Sequence, residues 1–152
     1  MLDRREMLAR SAAVAGLMAS AGLFPASALA AWSAPAFEAR SLAELVKALG
    51  VAVPVDSRDV TVSGPDIAEN GAVVPVGAAC ALPGVKRLLI LVEKNPAVLA
   101  AAFDVSDAVE ANFLTRVKMN QSSNVIAVAL MADGKVLFSE KDVKVTLGGC
   151  GG

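Results

Sequence analysis

Two cysteines are the residues here whose type and setting offer distinctive chemistry. Cys150 sits in Gly148-Gly149-Cys150-Gly151-Gly152, and Cys80 lies in an apolar stretch. The chain has 152 residues and no histidine. No Ser-His-Asp or Cys-His pair can therefore form within it, and no histidine-ligated zinc or haem site. Two cysteines fall short of a four-cysteine zinc site, and neither a metal nor a cofactor is expected. A formal net charge of -1 gives no footprint for nucleic acid. Any chemistry must rest on carboxylates, hydroxyls, Lys or Arg, or a thiol.

Glycines on both sides of Cys150 cannot pack a core and favour no regular structure, so residues 148–152 read as a flexible arm. Two links of about 3.5 Å each let Cys150 stand about 7 Å beyond Gly148. A bare backbone can enter a narrow channel, which suits a thiol that visits active sites on other proteins. At a reference pKa near ~8.5 little of a free thiol is ionised at neutral pH, and no histidine of this chain can activate it. A partner's site would have to supply that charge. The sulfur can hold disulfides, persulfides and related adducts. A disulfide to Cys80 or to another chain is the plainer alternative. Cys80 shares a strand face with Val74, Val76, Ala78 and Leu82, which reads as a buried apolar position.

The elements that must hold the arm are mostly strands. Ser41-Leu42-Ala43-Glu44 is a capping-box pattern, Leu42, Leu45, Val46 and Leu49 keep helical spacing, and Gly50 can end the helix, predicted at about 42–49. The alanine-rich 97–103 is the one later helix candidate. Elsewhere short apolar runs alternate with turn signals. They are 58–63, 73–82, 88–92, 113–119, 125–131, 136–138 and 143–147, broken at Gly64-Pro65-Asp66, Pro83-Gly84, Asn95-Pro96 and Asp133-Gly134. Seven or eight strands at roughly ten-residue spacing predict an all-β, immunoglobulin-like antiparallel β-sandwich with a short N-terminal helix, over residues 31–147. Residues 31–40 and the last five are expected to be mobile ends.

Residues 1–30 read as an address. Arg4-Arg5 precede an uncharged run from Ser11 to Leu23, and Ala26-Ser27-Ala28 and Ala28-Leu29-Ala30 are small-residue cleavage sites. The pattern predicts an export signal of the twin-arginine (Tat) type, with a periplasmic destination. Removing it leaves a chain still rich in apolar residues, which suggests a surface covered by a partner, with segment 31–49 contributing.

The terminal GGCGG resembles that of the SoxY family, the thiosulfate carriers of sulfur oxidation (Sox). So do Ile67-Ala68-Glu69-Asn70-Gly71-Ala72-Val73-Val74-Pro75-Val76, Leu82-Pro83-Gly84-Val85, Glu93-Lys94-Asn95-Pro96, Thr115-Arg116-Val117-Lys118-Met119 and Val143-Lys144-Val145-Thr146. The resemblance spans nearly the whole chain after the signal. It implies a non-catalytic covalent carrier with Cys150 as the carrier thiol and Gly148, Gly149, Gly151 and Gly152 as its flexible arm. It also implies a heterodimer with SoxZ. Transient visits follow: to the SoxAX cytochrome, which joins thiosulfate oxidatively to the thiol, to the SoxB hydrolase, which releases sulfate, and, where present, to a sulfane dehydrogenase. Asp3 stands where Ser or Thr usually precedes the arginines, and Cys80 is a second thiol in a family that relies on one.

The remaining polar residues read modestly. Asp66, Glu69 and Asn70 suggest a turn held by short polar side chains rather than an acid cluster, with Asn70-Gly71 supplying positive φ. Arg116 and Lys118 read as a solvated face. Lys141 and Lys144 either steer anions toward the arm or guard a sheet edge. The rival to the carrier is an exported immunoglobulin-like interaction domain that uses Cys150 for an interchain disulfide.

Overall fold

A computed structural model describes residues 3–20 and 33–148. The contacts divide the chain into two units, Met1–Trp32 and Ser33–Gly152. In the first, α1 (Arg4–Ser20) begins at the paired arginines. Among the described residues no helix is long and apolar enough to cross a membrane.

The second unit is the immunoglobulin-like sandwich that the strand spacing predicts, with helices added on one side. Its larger sheet has the order β1 (Val55–Asp56), β9 (Val136–Leu147), β8 (Ser123–Met131), β5 (Val85–Val92), β6 (Leu99–Asp104), and β3 (Ile67–Asn70) also pairs with β9. The smaller sheet runs β2 (Val60–Ser63), β4 (Val74–Cys80), β7 (Asn112–Val117). Between them lies a core that includes Val74, Val76, Ala78, Leu88, Ile90, Val117, Met119, Val125 and Val143.

The larger sheet is buried on both faces, and this explains the unbroken apolar runs. Successive side chains of a strand point to opposite faces. Leu88 and Ile90 enter the inter-sheet core, whereas Leu89 and Leu91 enter a second cluster with Ile126, Val128 and Val136. That cluster is closed by α2 (Ala34–Glu38) and α3 (Leu42–Leu49), through Ala36, Ala39 and Leu45. Segment 34–49 is therefore structured, and its apolar residues cover the chain's own sheet. The expectation of a mobile 31–40 is corrected for residues 34–40, which are helical or packed against the sheet.

Local chemistry sets the boundaries. The Ser41 side chain accepts from the Glu44 amide at 3.1 Å, and the Glu44 carboxylate accepts from the Arg40 amide at 2.8 Å. Gly50 ends α3 in the left-handed region at φ 64°. Asp133-Gly134 makes the expected hairpin: Gly134 has φ 85°, and the Asp133 carboxylate accepts from the Lys135 amide at 3.0 Å.

Three readings change. The candidate helix at 97–103 is strand β6, because alternate residues Ala101 and Phe103 pack on the inter-sheet core. Alanine's helix propensity yields there to cross-strand pairing with β5. The runs 136–138 and 143–147 are one strand, β9. The antiparallel frame also holds two short parallel pairings, β1 and β3 with β9.

Candidate functional site

Gly148, the last described residue and the first of the expected arm, follows directly on β9, and several connections meet there. β8 flanks β9 only through the Ser123–Val143 pair, and beyond it β3 takes over on the other edge, pairing Ala68 with Val145 and Asn70 with Leu147. Gly71 then joins two elements: its amide donates to the Leu147 carbonyl at 2.7 Å, and its carbonyl accepts from the Met119 amide at 2.7 Å. The Asn70 side chain turns this corner by accepting from the Ala72 amide at 2.8 Å. Gly71 is buried and is not among the positive-φ residues, so its expected left-handed turn is corrected: the glycine seats a backbone junction.

On the β3 side Thr146 Oγ1 also donates to the Glu69 carbonyl at 2.8 Å, and on the β8 side the Val145 amide donates to Ser122 Oγ at 2.8 Å. Asn95 spans the 118–120 turn. Its Nδ2 donates to the Lys118 carbonyl at 2.7 Å, and its Oδ1 accepts from the Asn120 amide at 3.2 Å. Met119 is fully buried beneath that turn. The segments that carry the family resemblance, around Asn70-Gly71, Asn95-Pro96, Lys118-Met119 and Val143–Thr146, thus converge on the root of the arm. Asn95 reads from sequence only as a strand breaker, and Asn120 and Ser122 carry no signal beyond general loop polarity.

Of the predicted site residues, Gly148 is placed at this root. Gly149, Cys150, Gly151 and Gly152 lie outside the described residues. Cys80 is 9% exposed and belongs to the inter-sheet core, as its strand face implies. It borders a depression of about 640 Å³ that also includes Asp107 and Glu110 and no cationic side chain.

Cys80 lies at the end of β4 away from the residues that hold Gly148. Val74 stands three residues past Gly71 at the arm end of β4, and Cys80 is six residues farther, about 20 Å along the strand.

The charged groups divide. Lys141 Nζ lies 2.9 Å from Asp66 Oδ1, so this lysine is paired rather than presented to the arm. The hydrogen bond from Lys141, with its charge, holds the Asp66 carboxyl below the ordinary carboxylate range. Glu69 is exposed on β3 and Asn70 caps its own turn, so no acid cluster forms. Among the described residues no group of three acidic, cysteine or histidine side chains could hold a metal ion. Lys144 is exposed on β9, and Arg116 and Lys118 are exposed at and just beyond the end of β7.

The comparisons with known proteins agree with this geometry. A family model described as "Sulfur oxidation protein SoxY" matches residues 46–150. The sulfur carrier protein SoxY from Chlorobium limicola f thiosulfatophilum is 30% identical, with a TM-score of 0.61 over 68% of this chain and 93% of that one. The superoxide reductase (neelaredoxin) from Ignicoccus hospitalis is 13% identical, with a TM-score of 0.51 over 58% of this chain and 80% of that one, a likeness of fold alone. No curated protein sequence matches the chain. The chain, matched by the family model over residues 46–150 and similar in sequence and fold to a solved SoxY, belongs to the SoxY family of sulfur oxidation proteins.

Proposed function

We propose that the chain is a carrier in sulfur oxidation and binds thiosulfate-derived sulfur covalently on Cys150. The observation that carries this reading is that the family match runs through residue 150 and so includes the thiol. The root geometry supports it, because β9 delivers the arm from a cross-braced corner of the body. Burial of Cys80 leaves Cys150 as the thiol able to meet a partner.

The chemistry requires other proteins. Thiosulfate joins the Cys150 thiolate through a new S–S bond, and two electrons pass to a cytochrome acceptor, SoxAX. Water then cleaves the terminal S–S bond in the SoxB hydrolase, releasing sulfate and two protons and leaving a persulfide on Cys150. A sulfane dehydrogenase, where present, oxidises that sulfur further. The carrier contributes the thiolate and its delivery; activating charge and redox centres belong to the visitors. SoxZ is the stable partner, and the periplasm, reached by the Tat pathway, is the compartment.

A Cys150→Ser variant tests the reading in a reconstituted thiosulfate-oxidising system. Thiosulfate-dependent electron transfer should fall to background, whereas Cys80→Ala should retain it. Sustained thiosulfate oxidation by Cys150→Ser would refute the proposal. If Cys150 served only an interchain disulfide, reductant would change the assembly state while turnover stayed independent of the thiol.

A further inference from the structure

We propose that the carrier arm pivots beyond Gly148, and that Asn95 is a positioning residue that sets this pivot. The inference rests on the carrier reading and adds where the moving part begins.

Gly148 is not glycine for the sake of freedom. A Cβ built on it would overlap the Asn120 carbonyl oxygen, so its backbone lies directly against that carbonyl. The left-handed region is not used here, since Gly148 is not among the positive-φ glycines. The requirement is close approach: the backbone of residue 148 is seated on the turn at residues 118–120.

That turn is in its place because Asn95 holds it on both sides, through the Lys118 carbonyl and the Asn120 amide. Asn95 is itself fixed. Its amide donates to the Val92 carbonyl at 3.2 Å at the end of β5, and Pro96 restricts the residue before it to extended backbone. Met119, between the two braced positions, is anchored in the core. On the opposite side Gly71 ties Leu147 to Met119. The last residue before Gly148 and the turn beneath it are therefore joined through one buried glycine.

This arrangement shortens the tether. A strand end that frays would let the arm swing from residue 145 or 146 and would roughly double its radius. With Gly148 seated, two links separate the fixed point from Cys150, a reach of about 7 Å. A visiting active site must then come close to the surface formed by residues 118–122. The thiol is presented at a high effective concentration because its tether is short. Asn95 acts on this only through Asn120 and Gly148, so it affects delivery and leaves the reactivity of the thiol alone.

Amide ¹⁵N relaxation on the full-length folded chain, with and without Asn95→Ala, tests the proposal. In the parent protein Gly148 should share the order of β9, with an order parameter near ~0.85, and the value should fall below about 0.6 from Gly149 onward. In Asn95→Ala the fall should begin at or before Gly148 while β5 and β8 stay ordered. Loading of Cys150 by the oxidising cytochrome should lose on the order of tenfold in kcat/KM. Reaction of Cys150 with a small maleimide should keep its rate.

A parent Gly148 as mobile as Gly149 overturns the pivot. An equal loss of maleimide rate overturns the positioning role. If Asn95→Ala does not fold, Gly148→Ala takes its place: its Cβ would push residue 148 off the Asn120 carbonyl, with the same early fall of order at residue 148 and the same two outcomes. Normal order at Gly148 with no sulfur loading on Cys150 would leave the clasp standing and refute the carrier reading, so the two failures are distinct.

Discussion

At the residue scale, the two cysteines differ by environment. Cys80 fills space between the sheets, and its removal should leave a small cavity. We expect Cys80→Ala to cost about 1 kcal/mol, read as a lower denaturant midpoint, with sulfur loading unchanged. The Asp66–Lys141 pair ties the approach to β3 to the middle of β9. Its folded-state carboxyl sits below the ordinary range. The pair's contribution is therefore present above the unfolded pKa and is lost as pH falls through the folded value. The stability difference between the parent chain and Asp66→Asn should be largest near neutral pH, shrink on acidification and shrink with added salt, because the pair is exposed. A difference that grows in acid would reverse this assignment. Cys80's burial was legible in the alternation of 73–82. The roles of Asn95, Asn120 and Gly148 were not, because each depends on a carbonyl or amide brought from a distant part of the chain.

At the element scale, helix α3 was legible to its ends, since the capping box and the glycine stop are local signals that the tertiary structure only has to accept. We expect Ser41→Ala to lose about 1 kcal/mol through the unpaired Glu44 amide. Leu45→Ala should lose roughly 2–5 kcal/mol, because this side chain is 1% exposed beneath the helix; both losses are read as shifts in unfolding midpoint. The β8–β9 hairpin was legible for the same reason as the helix. Strands β3 and β6 were not. β3 has only four residues and pairs in parallel with a strand more than seventy residues away, as the Thr146–Glu69 contact records. β6 is composed largely of alanine, whose intrinsic preference opposes the outcome. In both cases the deciding interaction is a neighbour that no local window contains.

At the scale of the whole molecule, the high apolar content follows from three layers in the second unit. The middle sheet has two buried faces, so its strands require apolar residues at nearly every position. Deleting residues 33–50 should uncover Leu89, Leu91, Ile126 and Val128, and the truncated chain should bind a hydrophobic dye and aggregate. A soluble, dye-silent truncation would show that the helices do not close that core. The missing histidine acquires meaning at this scale. The body is a stable mount, its braced corner directs β9 outward, and the proposed chemistry takes place in the active sites of partners.

The most direct measurement is the mass of the C-terminal peptide containing Cys150, taken from the non-reduced protein during thiosulfate turnover with the oxidising cytochrome and the hydrolase. The expected result is a thiosulfonate adduct with the cytochrome alone, converted to a persulfide when the hydrolase is added, with the peptide containing Cys80 unmodified throughout. Sulfur carried on the Cys80 peptide, or an unmodified Cys150 peptide while thiosulfate is being oxidised, would contradict the central claim.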